Sequence, residues 1–147
     1  GYKRKPNNYF EQNIRRFGPD FLQKKNSRDL QFDAIRMFRD LVRGRIDVRD
    51  YEKYFLDSQF IESCIFSANQ KYSLHFISFT GVNMLVQSLQ MNQQPVDDIT
   101  MAVLDFHQKA YSVYSLILQG LNSIKMTGTV EQLIPIVGQL RSYRDYI

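Results

Sequence analysis

Hydrophobic residues recur along this chain at helical spacing, and the strongest pattern lies in its second half. From Asp97-Asp98 to about Lys125, Val103, Leu104, Phe106, His107, Ala110, Tyr111, Val113, Tyr114, Ile117, Leu118, Leu121 and Ile124 fill one broad arc of a helical wheel. Asp105, Gln108, Lys109, Ser112, Ser115, Gln119 and Ser123 fill the remainder. A helix of about 28 residues is a rod of roughly 42 Å. A compact domain of this size is under about 40 Å across, so the rod must run its full length. The pattern predicts an elongated bundle gathered around the segment 98–125.

The flanking segments read as shorter helices. Asn8 to Phe17 is stopped by Gly18-Pro19, because proline disfavours helix in the residue before it. Ser27 is a candidate N-cap for a helix from Arg28 to Arg43, with Leu30, Ala34, Ile35, Met37, Phe38, Leu41 and Val42 on one face and Gly44 as its stop. Asp47 can open a helix through Leu56, and Asp57 or Ser58 another in which Phe60, Ile61, Cys64, Ile65 and Ala68 share a side. Over 72–91 two patterns compete. Tyr72, Leu74 and Phe76 alternate with Ser73 and His75 as in a strand, yet no second segment offers that strand a partner, which favours helix. Gln93-Gln94-Pro95 breaks the chain. After the turn Thr127-Gly128-Thr129, a capping-box spacing of Thr129 and Gln132 introduces a last helix carrying Leu133, Val137, Leu140 and Ile147, with Pro135 kinking it or marking its start. The expectation is an all-α single domain of six or seven helices over 8–147, preceded by a flexible basic arm at 1–7.

Composition narrows the class without naming a function. The chain has 147 residues, 44% of them hydrophobic and 23% charged, which excludes a disordered tail or a low-complexity linker. One cysteine excludes an intrachain disulfide framework. The run Tyr72–Val96 is uncharged and reaches membrane-spanning length, but His75, Asn83, Gln87, Gln90, Asn92, Gln93 and Gln94 are too polar for a lipid-facing helix. It reads as core plus loop, with no membrane span. The chain opens on Gly1 rather than Met, so targeting signals fall outside this reading, and no compartment is assigned beyond a slight preference for an intracellular one.

Charge is unevenly placed. Residues 1–45 hold twelve Lys/Arg against five Asp/Glu, 46–70 hold two against five, and 71–147 are balanced. A basic end attracts polyanions over about a Debye length without choosing among them. Lys3, Arg4, Lys5, Arg15, Arg16, Lys24, Lys25 and Arg28 interleave with Tyr9, Phe10, Phe17 and Phe21, a mixture able to contact phosphates and stack on unpaired bases. The competing interpretation is a solvated arm and a short helix that docks through Phe10, Ile14 and Phe17.

Catalytic patterns are missing: no phosphate-binding glycine loop, CxxC, HExxH or nucleophile elbow occurs, and no metal or cofactor is implied. Cys64 with His75 is a conceivable nucleophile and base, but Cys64 lies on an apolar arc, where a thiol packs as a small hydrophobe. His107 reads as a hydrogen-bonded core histidine, and Asp97-Asp98 as a helix cap. Phe32, Phe66 and Leu116 interrupt otherwise polar faces and are candidate protein contacts. The expected function is therefore a non-catalytic helical interaction or assembly module with a protein partner or a second copy. The alternative is a nucleic-acid-binding module using the basic N-terminal segment.

Overall fold

The computed structural model describes residues 8–147, which form a single all-α domain without a strand among them. Seven α-helices, α1 (Tyr9–Phe17), α2 (Phe21–Lys24), α3 (Ser27–Val42), α4 (Glu52–Phe55), α5 (Ser58–Met91), α6 (Asp98–Thr127) and α7 (Leu133–Leu140), precede a closing 3-10 helix, Arg141–Tyr146.

Side-chain caps fix where the longer helices begin. Asn8 accepts a hydrogen bond from the Glu11 N–H at 2.8 Å and starts α1, and Asn26 accepts from Asp29 at 2.8 Å and starts α3. Ser27, the expected cap of α3, is instead its first helical residue, because the Asn26 amide oxygen takes the orphan N–H. Asp57 and Asp97 cap α5 and α6 through the Phe60 and Thr100 amides. Two other expected caps do not form. Asp47 accepts from Arg49 within a turn, leaving only the four-residue α4 where a longer helix was expected. Thr129 belongs to a turn with Thr127, so the capping box is absent and Pro135 occupies the first turn of α7, where a missing N–H costs nothing. Gly128 ends α6 at φ 69°, a left-handed position that glycine takes without steric cost.

The 98–125 rod is real and unbroken, extending to Thr127. It is not alone. The segments expected as a helix from Asp57 and an ambiguous stretch at 72–91 fuse into one 34-residue helix, α5, and the aromatic alternation at 72–76 forms no strand. The two rods run antiparallel. Lys125 bonds Glu62, Tyr114 bonds Asn69, and His107 meets His75, so the sequence gap between partners closes steadily toward the turn at 92–97.

Only the lower half of this hairpin carries a full core. There α3 and α7 pack over α5 and α6 and bury Leu30, Met37, Phe38, Phe60, Cys64, Ile117, Leu121, Ile124, Leu133 and Leu140. Phe10 of α1 plugs an aromatic cluster with Phe21, Tyr51, Tyr54, Phe55 and Phe60, which ties the N-terminal segment to the bundle. Burial of such a ring stabilises by roughly 1.5–3 kcal/mol. Beyond Tyr72 the outer layer stops. Between Ser73 and Lys109 only Val86 is buried, so the uncharged run expected to be core is the greater part of a projecting arm.

Candidate functional site

The arm is held together by one seam. Tyr72, His75, Phe79, Val82, Val86 and Leu89 follow alternating steps of three and four along α5 and are buried or half-buried. Thr100, Leu104, His107, Tyr111, Tyr114 and Leu118 answer from α6 with the same alternation of steps. Tyr72 packs on Tyr114 with ring centroids 6.3 Å apart, and Tyr111 sits 5.3 Å from Phe76 and 6.3 Å from Phe79. At the base of the arm, the Nδ1 atoms of His75 and His107 lie 2.9 Å apart. One imidazole donates and the other accepts, so the pair is satisfied with both rings neutral, and a second proton would set two donors against each other. Desolvation first, then His107 and Lys71, hold the His75 pKa below its ordinary value. His107 is thus a half-buried, hydrogen-bonded histidine, with a partner that the sequence left 32 positions away.

The opposite side of α5 is bare. Leu74, Ile77, Gly81, Met84, Ser88 and Met91 repeat the same three-four spacing on the face turned away from α6, and Ile77 and Met84 are each 65% exposed. Across the turn, Ile99, Val103 and Phe106 prolong the α6 stripe that lower down is buried as Ala110, Val113 and Ile117, and they too are open to solvent. With Leu85, Phe76 and Met101, these large apolar side chains stay open to solvent along the whole length of the arm. No helix among the described residues is long and apolar enough to cross a membrane.

The three contact residues expected from sequence fare differently. Phe32 is 65% exposed with the Arg36 guanidinium 4.4 Å from its ring centroid, and Phe66 is 41% exposed beside a shallow groove with Gln31 and Ser63. They line separate grooves. Leu116 is half-buried against the core, because the outer layer reaches around α6 at that level. The signal that sequence reasoning passed over is the second three-four seam of α5, recognisable as a separate face only once the α6-facing side is known.

The basic residues are also divided. Lys3, Arg4 and Lys5 lie outside the described residues. Lys25 is withdrawn from solvent, its side chain 5% exposed, where its ammonium bonds Asp33 and the Asn13 amide oxygen and lies over the Phe17 ring. That leaves it unable to reach a phosphate. Lys24 pairs with Asp20 and donates to the Phe17 carbonyl. Arg15, Arg16 and Arg28 are exposed, Arg16 lying over Phe17.

Cys64 and His75 do not form a dyad. The Cys64 thiol is buried against the Ala34 carbonyl of α3, and desolvation pushes its pKa up, away from the reactive thiolate. Among the described residues no group of three or more His, Cys, Asp or Glu could hold a metal ion. A groove of about 680 Å³ lies between α1, the 44–51 loop and α7, and its charged lining balances Arg45, Arg49 and Arg141 against Glu11, Asp47 and Asp50. Asp40, buried near it, accepts from the Tyr9 N–H at 2.6 Å and faces Arg45 at 3.7 Å. Burial pushes this carboxyl up, while the Tyr9 N–H and then Arg45, Arg39 and Arg43 pull it back. It anchors α1 onto α3. Compared with protein-family models, with curated proteins and with solved structures, the chain matches none.

Proposed function

We propose that the chain is a helical interaction module whose working surface is the projecting α5–α6 arm. The observation carrying this reading is the arm's exposed apolar seam on an uncharged segment, 72–96, attached to a well-packed lower bundle. Apolar area left in water stabilises nothing in the isolated chain, whereas covering it against a partner gains roughly 25 cal/mol per Å² before association costs. The lower half then acts as a rigid base that holds the arm in place.

Capture from a lysate of the native source, with and without nuclease, tests the proposal using the wild-type chain and an Ile77→Glu/Met101→Glu variant. Proteins retained by the wild type after nuclease treatment and lost by the variant support it. Retention that vanishes with nuclease and ignores the arm substitutions overturns it in favour of nucleic-acid binding through the exposed arginines. Retention equal for both chains overturns it as well.

A further inference from the structure

We infer that the occupant of the bare α5 face is a second copy of the chain, paired antiparallel about a two-fold axis beside Gly81. This rests on the interaction reading and identifies one partner for it. Around Gly81 the exposed face carries Ile77 and Leu74 on one side and Leu85 and Ser88 on the other, four and seven positions away in each direction. At 100° per residue, positions placed symmetrically about 81 fall at mirrored angles about the same line. A two-fold axis there sets Leu74 against Ser88 of the second copy, Ile77 beside Leu85, and Gly81 against itself. Large side chains meet small ones at the ends and two large ones meet near the middle, as a self-complementary surface requires.

Gly81 adds an independent observation. A glycine in the interior of an exposed helix costs about 0.5–1 kcal/mol relative to alanine. Among the described residues nothing explains it, since a Cβ built there meets no atom within 4 Å. A neighbouring backbone crossing at closest approach would supply a reason. Charge agrees with the same geometry. No Asp, Glu, Lys or Arg lies between Tyr72 and Val96, so the face offers nothing to a charged partner, and it lacks the cationic rim of an interfacial membrane helix. Leu74, Ile77, Met84, Leu85 and Met91 expose at most roughly 700 Å² in all, an upper bound on what pairing through them covers and somewhat under the ~800 Å² per partner of a standard interface.

Sedimentation velocity over about 1–200 μM, spanning the micromolar range of interfaces this size, gives the first readout. The wild type is expected to shift reversibly from one to two chain masses, and Ile77→Glu/Leu85→Glu to stay monomeric with its dissociation constant raised at least ~100-fold and its helical circular dichroism unchanged. Cysteine pairing reads the geometry. An equimolar mixture of Leu74→Cys and Ser88→Cys chains should form a crosslinked heterodimer under mild oxidation. Each variant alone, with its two sulfurs about 21 Å apart along the axis, should not. The buried Cys64 leaves this reaction unconfused. A wild-type monomer throughout, or self-crosslinking of Leu74→Cys as fast as the mixed pair, overturns the antiparallel dimer. If the chain is monomeric while arm substitutions still abolish nuclease-resistant capture, self-pairing falls and the interaction reading stands.

Discussion

Two glycines in the interiors of the long helices make opposite demands, and replacing each with alanine tests the packing. Gly120 faces α7, and a Cβ there would stand 2.8 Å from Leu133 Cδ1 and 3.6–3.7 Å from two Ile136 methyl carbons. Leu133 is fully buried and Ile136 nearly so, which leaves little room for either to swing aside. Alanine gains about 1 kcal/mol of helix propensity, but overpacking a filled core costs about 1–3 kcal/mol. The net expectation for Gly120→Ala is a loss near 1 kcal/mol. Gly81→Ala meets open space among the described residues and should keep the whole propensity gain of about 0.5–1 kcal/mol. The two variants should therefore differ by about 2 kcal/mol, or roughly 4–8 °C in Tm for a domain of this size. Urea unfolding at sub-micromolar concentration, where association does not contribute, measures both. Leu133→Ala should remove most of the penalty of Gly120→Ala in the double variant. If Gly120→Ala stabilises as much as Gly81→Ala, the close approach of α6 to α7 is refuted.

Other outcomes follow from the polar groups. An unfolded histidine takes up a proton near pH 6.5 while native His75 resists, so the unfolded state binds more protons and stability should fall as pH drops from about 7 toward 5. Urea midpoints at pH 7.5 and 5.5 check this, and His75→Gln should flatten the difference; an equal drop in both chains contradicts it. Cys64 should resist alkylation in the native chain and react only as fast as the protein opens, which a denaturant series of iodoacetamide labelling reads directly. Lys25→Ala leaves the Asp33 carboxylate without its ammonium and should cost about 1–3 kcal/mol. Arg28→Ala, at an exposed site, should stay within about 0.5 kcal/mol by the same unfolding assay.

The α6 rod was legible because its polar and apolar arcs are cleanly divided and an aspartate stands at its start. The helix over 28–43 was legible for the same reason, with an error of one residue at its cap because Asn26 and Ser27 are both competent and only geometry chooses. The union of 58–71 with 72–91 was obscured by the residues that make the arm interesting. Leu74, Phe76 and Ile77 spread hydrophobicity around the wheel of α5, since one side serves α6 and another faces solvent, and a two-sided helix has little net amphipathicity. The same spread made 72–96 look like core. Apolar residues without charges ordinarily mean burial, and the chain alone does not bury these. Lys25 was unreadable for a different reason: its partner Asp33 lies on another helix, and the pairing depends on the turn between α2 and α3. The His75–His107 contact likewise depends on the register of the two rods.

Amide hydrogen exchange across residues 73–91, read by mass spectrometry at several concentrations in the wild type and in Ile77→Glu/Leu85→Glu, tests most directly whether the outer face of the arm is covered in solution. Pairing through this face requires exchange in the segment to slow with rising concentration in the wild type, and to stay fast and concentration-independent in the variant. Exchange that is the same in both chains at every concentration would contradict it.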